Sequence, residues 1–132
     1  MPYGTRYVKI AGEVAVKFHL PASKSFSPGA KRGQMETIAD IHSHMLPGID
    51  DGSPDTDTSL KMLAAAREQG VTIQVLTPHF YRWKEDIPSF VSRRSASCRH
   101  LARALPRDVP TLLVGAETAF FPHISRHDLS KL

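Results

Sequence analysis

Apolar positions along the chain change period twice. Tyr7, Val8 and Ile10, then Val14, Val16, Phe18 and Leu20, alternate with other residues around Ala11-Gly12-Glu13, which predicts a short hairpin. Pro21 to Gly33, rich in Ser, Pro, Gly, Lys and Arg, reads as a flexible basic linker. From Thr37 the pattern becomes strand, helix, strand, helix, strand. Thr37 to His42 is a short β-type run, and Thr58 to Gln69 is helical, with Leu60, Leu63 and Ala64 on one face. Asp55 and Asp57 suit its N-cap and the positive end of its dipole, and Gly70 follows where a helix stops. Val71 to Thr77 has the β-branched character of a strand covered on both faces. Ile87, Phe90, Val91, Arg94, Cys98, Leu101 and Leu105 step by three or four into a second helix that Pro106 ends, and Thr111 to Ala116 is the third strand. Such alternation predicts an α/β fold with a parallel sheet and right-handed crossovers. Another helix is expected to begin within Phe120 to Leu132.

Composition adds little until it is divided along the chain. The 132 residues are 41% hydrophobic and 23% charged, which is ordinary globular material. The net charge of +4 is uneven: residues 1–34 hold six Lys/Arg and one acid, residues 35–132 eleven and twelve. The body is thus near neutral, which argues against nucleic acid as its partner. The division predicts a basic extension or weak hairpin over residues 1–36 and a domain over 37–132. The extension is also compatible with a transit-like leader, or with translated upstream sequence and Met35 as an alternative start. A single cysteine, the absence of a secretory apolar core and the absence of a membrane-length run make a reduced cytoplasmic setting the expectation.

Seven histidines are more than background, and several lie beside carboxylates. His42 and His44 in Asp40-Ile41-His42-Ser43-His44 sit two apart in an extended segment, so both project to one side, roughly 7 Å apart at Cα. His79 follows the second strand and Glu117 the third. All four fall at carboxyl ends of successive parallel strands, the edge where α/β sheets collect ligands and catalytic groups. Imidazoles with a carboxylate able to bridge suit a cluster of divalent ions held roughly 3.5–4 Å apart.

The run from Asp40 through His42, His44, Pro47-Gly48-Ile49, Asp50, Asp51 and Gly52, followed by Thr77-Pro78-His79 and Gly115-Ala116-Glu117, resembles the opening of bacterial tyrosine-protein phosphatases of the polymerase and histidinol phosphatase (PHP) superfamily. These are manganese-dependent enzymes of capsular and exopolysaccharide synthesis. The resemblance covers Ile38 to about Glu117 and implies a distorted barrel of seven βα units, of which this chain would supply about three. It implies that His42 and His44 hold a first metal, that Glu117 bridges to a second, and that Asp51 and His79 help hold a third. Asp40 and Asp50 would serve as turn residues or as supporting carboxylates behind the ligands. The implied chemistry is hydrolysis of a phosphotyrosine ester by a metal-activated hydroxide, with no catalytic residue separate from the ligands. The implied partner is a phosphotyrosine protein such as a bacterial tyrosine kinase.

The departures are also plain. The family's remaining ligands, a later histidine and a closing Asp-x-His pair, and its late phosphate-gripping arginines have no counterpart before Leu132. A catalytically inert remnant or metal-binding module is therefore one rival reading, and a small-molecule phosphoesterase such as histidinol phosphatase another. Half a barrel would expose strand edges and an apolar face, so an isolated copy is expected to aggregate or stay partly molten unless a second chain completes it, which leaves room for an oligomer.

Other residues carry blander readings. Cys98 lacks a preceding histidine, a shaping glycine and an arginine at the spacing of a cysteine phosphatase, and reads as a core helix residue. Arg93, Arg94, Arg99, Arg103 and Arg107 read mainly as a solvated helix face. Tyr81, Arg82 and Trp83 sit at the predicted site edge, to stack on a tyrosine ring or to pack under the loop. His123 and His127, four apart, suit one helix face, and His19 and His100 read as ordinary histidines.

Overall fold

A computed structural model describes residues 5–10, 14–19 and 38–132. The expected hairpin is present in the backbone: β1 (Thr5–Ile10) pairs antiparallel with β2 (Val14–His19), with Val8 opposite Val16. The linker from Pro21 to Gly33 and the alternative start at Met35 lie outside the described residues.

The body begins with β3 (Ile38–Asp40), and α1 (Thr56–Glu68) follows. Asp55 caps α1 by accepting a hydrogen bond from the Thr58 amide at 2.7 Å. Gly70, at φ +89, takes the left-handed turn after the C-cap that a side chain would resist. Ser59, Leu63 and Ala66 form the buried stripe, whereas Ala64 is exposed, contrary to the expected face. Leu60, Met62, Leu63 and Ala66 pack on the core from one side of the helix, which leaves Ala64 outside, and Ser59 joins the buried row through its hydroxyl, 3.0 Å from the Asp55 carbonyl and 2.8 Å from Ser53 Oγ.

Next come β4 (Val71–Leu76), the short β5 (His79–Phe80), α2 (Ile87–Ala104), β6 (Thr111–Val114) and the short β7 (Glu117–Thr118). Asp86 caps α2 by accepting from the Ser89 amide, and Leu105 turns extended because Pro106 behind it disfavours the helical conformation. β3, β4 and β6 form a parallel sheet in chain order, with Asp40, Gln74 and Leu112 in one register row. β5 and β7 form a second parallel ladder just beyond the ends of β4 and β6, pairing His79 with Glu117.

Helices and sheet close around Leu46, Leu63, Leu76, Cys98, Leu101 and Leu112, and a smaller cluster of Phe80, Phe90 and Phe121 lies under the short ladder. Gln74, fully buried in the central strand, has no hydrogen-bond partner for either side-chain polar atom among the described residues. Ile73 and Val75, which alternate with Gln74 and Leu76, are only half-buried, so β4 is sealed on one face rather than both.

Arg94 corrects the reading of the helix arginines. It is the largest fully buried side chain, because it shares the inward row of Phe90, Cys98 and Leu101. Its guanidinium donates to the carbonyls of Gly115 at 2.6 Å, Lys131 at 2.8 Å and Leu132, and lies over the Phe90 ring. The C-terminal stretch also departs from expectation. One turn of 3-10 helix spans Ile124–Arg126, His123 precedes it in a left-handed conformation, and the His127 ring packs edge-on against Phe121. The two histidines therefore share no α-helical face.

Candidate metal centre

The segment after β3 is held extended by its intervening serine. Ser43 Oγ donates to the Val75 carbonyl at 2.8 Å, the Ser43 amide donates to Thr77 Oγ1 at 3.0 Å, and the Thr77 amide returns to the Ser43 carbonyl at 2.8 Å. With Ser43 pinned to the end of β4, strand alternation sends His42 and His44 to the opposite side. Their Nε2 atoms lie 3.1 Å apart. The β5–β7 ladder delivers His79 and Glu117 to the same place.

Glu117 is the point of convergence. Its Oε2 lies 3.3 Å from His42 Nε2, 3.1 Å from His44 Nε2 and 3.2 Å from His79 Nδ1. His79 Nε2 faces Asp51 Oδ1 at 3.3 Å on its other side. Two overlapping donor sets result, His42 with His44 and Glu117, and His44 with Asp51 and His79. The spacings fit a cation. Ligands about 2.1 Å from a shared ion, at tetrahedral or octahedral angles, lie about 3.0–3.4 Å apart.

The adjacent aspartates take different positions. The Asp50 side chain is 6% exposed and the Asp51 side chain 83%. Asp50 accepts from His44 Nδ1 at 2.8 Å, from the Gly52 amide at 3.0 Å and from the His79 amide at 3.1 Å. Burial alone would raise its pKa, but these bonds and the charge of His44 outweigh burial and hold the carboxyl below its usual range. Burial likewise works to lower His44, yet the bond and charge of Asp50, with Glu117 and Asp51 behind, raise it. A carboxylate on Nδ1 fixes the ring's tautomer and leaves Nε2 with its lone pair toward the cluster. Asp40 acts more locally, its carboxylate accepting from the His42 amide at 3.1 Å.

Four supporting residues escape a reading of the sequence for ligands. Ser43 and Thr77 staple the histidine segment, and Arg93 ties the aspartate loop down by donating to the Ile49 carbonyl at 2.6 Å while pairing with Glu85. Gly52 lies so close to His44 that an added Cβ would fall 2.2 Å from the His44 carbonyl oxygen. The glycine after two aspartates signals a turn, but no sequence feature marks that approach. The charge sequence around Arg93 likewise does not reveal a carbonyl 44 positions away.

Comparison with known proteins follows the same segment. The capsular polysaccharide synthesis family CpsB/CapC matches residues 38–130. The tyrosine-protein phosphatase YwqE of Bacillus subtilis is 35% identical over 97 residues, covering 71% of this chain and 37% of the relative. Solved structures described as YwqE from Bacillus subtilis and CpsB from Streptococcus pneumoniae, unique metal-dependent tyrosine phosphatases, match with a TM-score of 0.53 at 27% identity, over 67% of this chain and 36% of theirs. The chain thus spans a little over a third of the length of the relatives it matches. The shared parallel α/β fold and the matched segment, which contains every residue of the cluster, place the chain in the CpsB/CapC family.

Proposed function

We propose that this chain carries the metal-binding front of a protein-tyrosine phosphatase of capsule or exopolysaccharide synthesis. Its substrate would be a phosphotyrosine protein, such as a bacterial tyrosine kinase, met in the cytoplasm. His42, His44, Asp51, His79 and Glu117 are the ligands. Residues 37–132 form about three βα units of a PHP-type barrel, and residues 1–36 are a basic extension. The observation that carries this reading is the single carboxylate oxygen of Glu117 within 3.1 to 3.3 Å of three imidazole nitrogens. Without a cation or shared protons, such a crowd of lone pairs would repel.

A bound divalent cluster, of manganese or a similar ion, would supply a nucleophile from water and polarise the phosphoryl oxygens. The chain's own residues hold that chemistry in place. Asp50 aims His44, the Ser43–Thr77 staple keeps His42 and His44 on one side, and Asp51 and His79 face each other at the exposed end of the cluster. Glu117, set opposite His79 by the short ladder, belongs to one donor set and touches His79 of the other at 3.2 Å, while His44 is common to both.

The test is metal-dependent release of phosphate from an aryl phosphate. A His42→Ala/His44→Ala double variant is expected to lower kcat/KM by about a thousandfold or more, about 4 kcal/mol of transition-state stabilisation. Equal activity in the double variant would sink the assignment. Tight metal binding with no phosphate release by the parent chain would favour a metal-binding module instead, and a preference for small esters over phosphopeptides the histidinol-phosphatase type.

A further inference from the structure

We propose that the cleft beside His79 and Asp51 is a subsite for the tyrosyl ring of a phosphopeptide and an acidic side chain next to it, with Trp83 and Lys84 determining specificity. The proposal deepens the phosphatase reading and rests on it. The cleft has a volume of about 470 Å³, within the range of roughly 300–1,000 Å³ usual for ligand sites.

A ladder of rings leads out from the donor cluster. Tyr81 stacks on His79 with centroids 5.2 Å apart and planes 23° from parallel, and Trp83 lies 5.1 Å beyond Tyr81. Trp83 stands outside the cleft lining, against Tyr81 at its rim, and is 65% exposed, so most of its ring is available to a partner. A phosphoryl group seated over the histidines would lay its ester-linked ring along this ledge, where stacking distinguishes an aryl from an alkyl ester.

Charge selects the neighbour. Of the acids lining the cleft, Asp50 is engaged by His44 and two amides and Glu85 by Arg93, which leaves Asp51 at the donor cluster. Arg93 is neutralised by Glu85 and bonded to the Ile49 carbonyl. Lys84 makes no ion pair among the described residues, and its ammonium sits 4.4 Å from the Tyr81 ring centroid. It is thus the cation at the rim best placed to meet a carboxylate flanking the phosphotyrosine.

Steady-state kinetics of the metal-loaded chain on a phosphotyrosyl peptide with flanking Glu, and on its flanking-Ser counterpart, test the subsite. Trp83→Ala should raise KM for both peptides about fivefold to tenfold, with Trp83→Phe recovering most of the loss. Lys84→Gln should raise KM about threefold for the Glu peptide alone, an effect that fades at high salt. KM values unmoved by either variant would overturn the subsite. Binding provides a readout independent of turnover, because Trp83 is the sole tryptophan and its fluorescence reports one place. A non-hydrolysable phosphonate version of the Glu peptide should shift that emission saturably. If the parent chain released no phosphate from any ester, the phosphatase reading would fail, and the titration would decide the subsite: a saturable shift upholds it, and a flat titration removes it.

Discussion

The helix-covered flank of the sheet and the edge at its carboxyl ends are made from the same strands by opposite rules. Along β4 and β6, Leu76 and Leu112 are 2% and 6% exposed and meet Leu63, Cys98 and Leu101. A few residues further on, His79 and Glu117 turn nitrogen and oxygen atoms to the donor cluster, with the Tyr81 ring stacked on His79. The flank gains stability by excluding water. The edge crowds polar atoms that a cation or shared protons would relax, an arrangement that does not serve stability by excluding water. Changes on the flank should therefore move the melting temperature and leave metal affinity nearly intact, and changes at the edge should do the reverse.

The double histidine change at the edge has the largest expected effect, loss of metal-dependent turnover, and in metal-free protein it should lower the melt only modestly, because buried Asp50 loses His44 but keeps its bonds to the Gly52 and His79 amides. A large fall in metal-free stability would break the contrast. On the flank, Leu101→Ala should cost about 2–5 kcal/mol in denaturant unfolding, because Leu101 is 1% exposed within the core. Calorimetric metal titration of this variant should still give an affinity within about threefold of the parent. A larger change would show that the two regions are coupled.

Cys98 sharpens the contrast through pH. Burial pushes its thiol from the ordinary 9.0 up to about 11, only partly opposed by Arg94 and Arg99. A raised thiol pKa favours the folded state below the ordinary value, and that contribution fades as pH rises from 9.0 toward about 11. Alkylation at pH 8 should run on the order of a hundredfold slower in native than in unfolded chain. Native labelling at the unfolded rate would mean that the flank opens readily.

Asp50→Asn is a milder edge change. It keeps the side-chain volume but removes the charge that steadies His44, and should weaken metal binding about 10- to 100-fold by titration. An unchanged affinity would reduce Asp50 to a turn residue. The smallest effect is expected at Ser59→Ala, about 1 kcal/mol in unfolding, since the buried Ser53–Ser59 contact at 2.8 Å is lost while Ser53 keeps its bond to the Asp55 carbonyl.

Much of this organisation was legible in the residue order, because period, caps and breakers act over short distances. The step of three and four through Phe90, Cys98 and Leu101 predicts the buried row of α2, and Asp55 and Pro106 mark helix limits through local bonding and sterics. His42 and His44, two apart in an extended run, were bound to share a side, and His79 and Glu117 were already at strand ends. Ala64 and Arg94 went astray for the opposite reason. A buried serine, paired with Ser53, takes a place in the core row of one helix, and three carbonyls distant in sequence make a buried guanidinium tolerable in the other.

By itself, then, the sequence determined the alternation of strands and helices, the donor types and their order along one sheet edge, since each depends on residues within a few positions of one another. Tertiary structure alone decided that His79 pairs in register with Glu117, that Asp50 turns inward to His44 while Asp51 faces solvent, and that Arg93 reaches the loop that carries both aspartates. Arg93 lies 44 positions from the carbonyl it holds, and Asp50, though only 6 positions from His44, is also fixed by the His79 amide 29 positions on, so local propensity does not encode these outcomes and only packing of the whole domain sets them.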